Sequence, residues 1–109
     1  MTKSKNRLLF VNPDSQKDTT ITYKTNFRLR ENLTAKLSYD EGDTWEVQKM
    51  LDSGKAGYSD LAVGRDGMLY CLYETNTDSS EKWKYKIVLK RFNLQWLTDG
   101  QDISNSLIR

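Results

Sequence analysis

The chain has 109 residues, enough for one small domain with a modest core. Lys and Arg number 17 against 15 Asp and Glu, and a net charge of +2 is too balanced for a protein built to grip nucleic acid along a basic face. With no histidine and one cysteine, the composition excludes a His-based triad, a Cys–His pair, the usual zinc clusters and an internal disulfide.

No run approaches the roughly 18 apolar residues of a transmembrane helix. The start, Met1-Thr2-Lys3-Ser4-Lys5, is basic, but the apolar run that follows, Leu8 to Val11, is too short for a signal peptide. Three Trp, six Tyr and three Phe beside one Pro and six Gly predict a β-rich globular chain.

Arg7 to Val11 reads as a strand ended by Asn12-Pro13-Asp14, and residues 14–28 as a long polar loop. From Asn32 to Tyr39, Leu33, Ala35, Leu37 and Tyr39 alternate with Thr34, Lys36 and Ser38, the period of a strand with one buried face. Glu46 to Leu51 is the next predicted strand, closed by a turn at Asp52-Ser53-Gly54. Tyr58 to Val63 and Met68 to Glu74 flank a hairpin turn at Gly64-Arg65-Asp66-Gly67. Cys71 lies inside the second of these strands and reads as a buried core thiol rather than a nucleophile. Thr75 to Glu81 reads as a loop and Tyr85 to Phe92 as the last strand. Leu94 to Leu97 is one helical turn closed by Asp99-Gly100, and 101–109 is a poorly ordered tail after a domain spanning 1–100. The total is about six strands without a substantial helix.

Between the second and third strands stands Ser38-Tyr39-Asp40-Glu41-Gly42-Asp43-Thr44-Trp45, with the pattern Ser-x-Asp-x-Gly-x-Thr-Trp. Asp40 can accept the turn's own N–H groups, Gly42 is free to take positive φ, and Trp45 can pack back on the strands. The segment resembles the Asp-box of sialidase-type β-propellers. Further stretches extend the likeness over almost the whole chain: Leu8 to Pro13, Arg30 to Thr34, Gly57-Tyr58-Ser59-Asp60-Leu61 with Cys71-Leu72-Tyr73-Glu74 behind it, and Arg91 to Thr98. Together these are similar to the C-terminal part of a bacterial-type exo-α-sialidase (neuraminidase). The resemblance implies two partial four-stranded blades of a six-bladed propeller. Their open edges and bare inter-blade face imply an isolated chain that is marginal or oligomerises.

The resemblance also implies roles. Tyr58 becomes the nucleophile of a retaining hydrolase that releases terminal sialic acid, an exception to the usual carboxylate pair. A tyrosine suits this substrate because the anomeric carbon carries a carboxylate, which a carboxylate nucleophile would approach with like charge. A tyrosine hydroxyl titrates near about 10 in solution, so it needs a base, in this family a glutamate. Arg30 becomes one of three arginines that bind the sialate carboxylate, with Arg28 as its rival. Glu74 becomes the glutamate that orients another of those arginines. No cofactor or metal is implied.

The family's acid/base aspartate, base glutamate and first two arginines match nothing in this chain. It is therefore expected to carry roughly the last two blades of six, to need the missing N-terminal blades or a partner chain, and to be inactive alone. Sialylated glycans are the implied partners. Without the resemblance, Tyr58 is an ordinary strand aromatic, Arg30 a strand-edge charge and Glu74 a surface charge. Two other readings stay open: a non-catalytic Asp-box segment that binds glycan or protein through Trp83, Trp96 and the tyrosines, and a small β-sandwich.

Overall fold

The computed structural model describes residues 7–15, 30–76 and 85–103. The described residues form five strands and one helical turn: β1 (Leu8–Pro13), β2 (Glu31–Ser38), β3 (Val47–Val63), β4 (Leu69–Asn76), β5 (Lys86–Phe92) and α1 (Leu94–Leu97). The strands make one open antiparallel sheet in sequence order, β1-β2-β3-β4-β5. The all-β class expected from composition and periodicity is what forms. No helix among the described residues is long and apolar enough to cross a membrane. Arg28 and Trp83 lie outside the described residues, as does most of the expected 14–28 loop.

Two expected strands are one. Glu46–Leu51 and Tyr58–Val63 belong to the 17-residue β3, and no turn interrupts it at Asp52-Ser53-Gly54. Both neighbours need a partner over this stretch: β2 pairs with β3 up to Lys55, and β4 pairs with it from Lys55 onward. The irregularity that the turn residues bring is absorbed by register shifts, between Glu31 and Thr34 on the β2 side and between Ala56 and Ser59 on the β4 side. Asp52 bonds locally instead, its Oδ1 accepting the Gly54 N–H at 2.8 Å. The expected loop does not begin at Thr75, since Thr75 and Asn76 complete β4.

β3 is thus shared by two three-stranded halves, β1-β2-β3 and β3-β4-β5. The period of two selects their buried faces: Leu33, Ala35 and Leu37 on β2, and Leu69, Cys71 and Tyr73 on β4. These residues join Leu51, Ala56, Phe92, Leu94 and Leu97 in a single apolar cluster, with Leu9, Val11, Val47, Leu61 and Val88 packed against it. Burial raises the Cys71 thiol to about 11, as fits a core residue rather than a nucleophile. The hairpin turn forms where expected. Gly67 takes φ 85°, and Gly64 donates its N–H to the Met68 carbonyl at 2.8 Å. α1 is capped by Asn93, whose side chain accepts the Trp96 N–H at 2.8 Å, and ends through positive φ at Asp99 and Gly100.

The segment expected to begin a loose tail closes the core. Asp102 is buried and accepts from Arg7 Nε at 2.9 Å and from the Tyr39 hydroxyl at 2.7 Å. Its own N–H donates to Thr98 Oγ1 at 2.8 Å. The start of β1 and the residues after α1 are thereby tied together. This contact joins residues 95 positions apart, so no local pattern announces it.

Candidate functional site

The turn after β2 is built as its residue types require. Asp40 Oδ1 accepts the Thr44 N–H and the Ser38 hydroxyl, each at 2.8 Å, while Oδ2 accepts the Thr44 hydroxyl at 2.5 Å. Ser38 Oγ in turn accepts the Gly42 N–H at 2.8 Å. Glu41 and Gly42 both take positive φ, 61° and 94°. Trp45 packs its ring on Phe10 of β1, with centroids 5.9 Å apart. Both Asp40 oxygens are committed to the turn, so its work is structural.

The Thr44 hydroxyl and N–H and the Ser38 hydroxyl hold the Asp40 carboxyl down at about 2. Burial pushes the Asp52 carboxyl up, but the Tyr73 hydroxyl at 2.6 Å, the Gly54 N–H and the charge of Lys90 outweigh it and leave it below its ordinary value. Carboxyls depressed by folding stabilise the native state above their unfolded value and lose that contribution as pH falls through the folded one. The thermal midpoint is therefore expected to hold level down to about pH 4 and to fall between about 4 and 2. A midpoint constant across that window, measured by circular dichroism, would contradict these bonds.

Tyr58, Arg30 and Glu74 come together where β3 leaves its register with β4. Between Ala56 and Ser59 the ladder slips, and the Tyr58 N–H finds its acceptor in the Glu74 side chain, with Oε1 at 3.0 Å. Gly57 makes room for that carboxylate. A Cβ on Gly57 would stand 2.5 Å from Glu74 Oε1 and 3.3 Å from Glu74 Cβ. Arg30 reaches the same place through its backbone, whose carbonyl accepts the Ala56 N–H at 3.0 Å. Its guanidinium lies over the Tyr58 ring, 5.9 Å from the centroid.

Tyr58 itself is 76% exposed. Its side chain borders a shallow depression of about 200 Å³ lined also by Ser59, Asp60, Leu72, Glu74 and Ile87. Among the described residues no carboxylate bonds the Tyr58 hydroxyl, and Glu74 makes no ion pair with an arginine. The link from Glu74 to Tyr58 through a backbone N–H was not foreseen from the sequence, although a glycine directly before the tyrosine was its signal. Gly57→Ala is expected to displace the carboxylate at a cost of about 1 kcal/mol in urea unfolding. A variant as stable as the parent would contradict the close approach.

An apolar band surrounds the site. Leu72 lies directly across from Leu89, and Glu74 across from Ile87, on the sheet face that points away from the core. Ile87 is 71% exposed and Leu89 59%.

Comparison with known proteins gives one relevant likeness. Over 64 residues, 59% of this chain, it is 38% identical to a protein of Micromonospora viridifaciens named sialidase. The matched stretch spans 9% of that protein's length. No family model matches the chain, and no solved structure matches it. The likeness indicates a relation to sialidases, and the all-β sheet is compatible with a fragment of propeller blades.

Proposed function

We infer that this chain is part of a retaining exo-α-sialidase, with Tyr58 as nucleophile and Arg30 as a ligand of the sialate carboxylate. The observation that carries this reading is the meeting of Arg30, Tyr58 and Glu74 at one slipped point of the sheet. Glu74 fixes the backbone from which Tyr58 projects, and Gly57 permits it. The Arg30 guanidinium lies over the Tyr58 ring, and its fork suits the carboxylate that the attacked carbon carries. Arg28 remains the rival for that role.

In this reading the Tyr58 oxygen, its proton taken by a base, bonds to the anomeric carbon as the glycosidic bond breaks, and the leaving oxygen takes a proton from an acid. Water then displaces the tyrosine, and two inversions give net retention. The acid, the base and the other arginines come from polypeptide outside these 109 residues. The two halves of the sheet are read as partial blades, and the exposed band of Leu72, Ile87 and Leu89 as a face that further structure covers. No cofactor or metal takes part.

The test is a chimera in which this chain replaces the matching region of the M. viridifaciens protein, assayed on an aryl sialoside. Activity in the chimera and none in the isolated chain are expected. A chimera that folds but is inactive would favour a segment that only binds.

A further inference from the structure

A second and larger cavity among the described residues lies elsewhere. It has a volume of about 490 Å³ and is lined by Leu51 of β3, Met68, Lys90 to Phe92 of β5, Asn93 and Trp96. It shares no residue with the depression at Tyr58. Lys90 and Phe92 lie on the inward face of β5, opposite the Ile87 and Leu89 band. Its size is that of a pocket for a small ligand, and its mixture of apolar walls with a few polar groups is the usual one.

The polar groups are one-sided. Lys90 and Arg91 offer only donors. Asn93 has its amide oxygen occupied by the Trp96 N–H, which leaves its NH₂ as two donors. Among the described residues no carboxylate lines the cavity. Asp52 feels the charge of Lys90 but has the Tyr73 hydroxyl and the Gly54 N–H as its own partners, and Asp99 is paired with Lys49. A donor-rich, positively charged wall calls for a ligand rich in acceptors that carries negative charge.

Trp96 supplies the second requirement. Its indole is 46% exposed and held in place, with Phe92 at 5.5 Å between centroids and the Lys49 ammonium 4.4 Å from the ring centre. Lys49 is fixed there by the Trp96 carbonyl at 2.6 Å and by Asp99. Lys49 occupies one face of this indole, and the part of the ring left exposed is the platform for the C–H face of a sugar ring. An aromatic platform beside donors and cations fits a sugar that bears both hydroxyls and an acid group.

We propose that this cavity binds an acidic saccharide, with Trp96 stacking on the ring, Lys90 pairing with the acid group and the Asn93 amide donating to hydroxyls. The site is independent of the reading of Tyr58 and stands or falls without it.

The test uses the 109-residue chain and a matched pair of probes, methyl β-D-glucuronide and methyl β-D-glucoside, which differ in the acid group. Each is titrated while the Trp96 indole N–H resonance, identified with Trp96→Phe, is followed by NMR. The glucuronide is expected to shift that resonance saturably and to bind at least about tenfold more tightly than the glucoside. Lys90→Met should abolish the preference, and Trp96→Phe, followed by titration calorimetry because its indole signal is gone, should weaken both sugars. Equal affinity for the two sugars, or a preference that survives in folded Lys90→Met, would overturn the assignment of the acid group. If Lys90→Met does not fold, the comparison of the two sugars on the parent chain decides that point. No saturable shift at Trp96, or tighter binding of adenosine monophosphate than of the glucuronide, would overturn the saccharide class.

Discussion

Asp102→Ala is expected to destabilise the fold by about 3–5 kcal/mol. Arg7 and Asp102 have side chains only 2% exposed. Arg7 meets the carboxylate with both Nε and Nη2, at 2.9 and 3.4 Å, and the Tyr39 hydroxyl adds a third bond. Removing the carboxylate leaves a buried guanidinium without its counter-charge and takes away the acceptor of Tyr39. That penalty falls on the groups left behind and exceeds the net worth of the pair itself. The double variant Arg7→Met with Asp102→Leu, which removes both charges, is therefore expected to lose much less than either single change. Urea unfolding of the three variants decides the matter. A loss below about 1 kcal/mol for Asp102→Ala would mean that the C-terminal segment does not close the core. Small domains have about 5–15 kcal/mol to lose, so the predicted cost is a large share of the total.

Tyr58→Phe is expected to lower kcat of the sialidase chimera by at least about 10³-fold, because the attacking oxygen is gone while the ring stays. The tyrosine is 76% exposed, and the change should leave stability within about 0.5 kcal/mol, so a lost rate would report chemistry rather than unfolding. Arg30→Lys keeps the charge but loses the two-pronged geometry, and kcat/KM should fall by about 10–100-fold. Glu74→Gln is the companion variant. It keeps an acceptor for the Tyr58 N–H, so its rate should stay close to the parent's if Glu74 acts through that bond. Full activity in Tyr58→Phe would remove the tyrosine from the mechanism and leave the sheet as a binding segment.

The residues differ in how openly the chain declares them. The turn at Ser38–Trp45 is legible because the hydrogen bonds among Ser38, Asp40, Gly42 and Thr44 span at most four residues, so their spacing already contains those bonds. The hairpin at Gly64–Gly67 and the Asn93 cap are local in the same way. Tyr58 and Arg30 were singled out through resemblance alone. A lone tyrosine in a strand carries no local signal of a role, and what joins it to Arg30 is the pairing of Ala56 with Arg30 across the sheet.

The sequence by itself determined the alternating period and buried face of β2, the burial of Cys71, the turns at Ser38–Trp45 and Gly64–Gly67 and the helical turn after β5, since each is written in the pattern of residues a few positions apart. Only the tertiary structure decided that Asp52-Ser53-Gly54 continues a strand, because a local turn preference yields when two neighbouring strands both need the same backbone as partner. The tertiary structure also decided that Glu74 serves the Tyr58 backbone 16 residues away, and that Asp102 is core rather than tail. In each case the deciding partner lies far along the chain, and a buried or slipped polar group must take whatever acceptor the folded sheet brings to it.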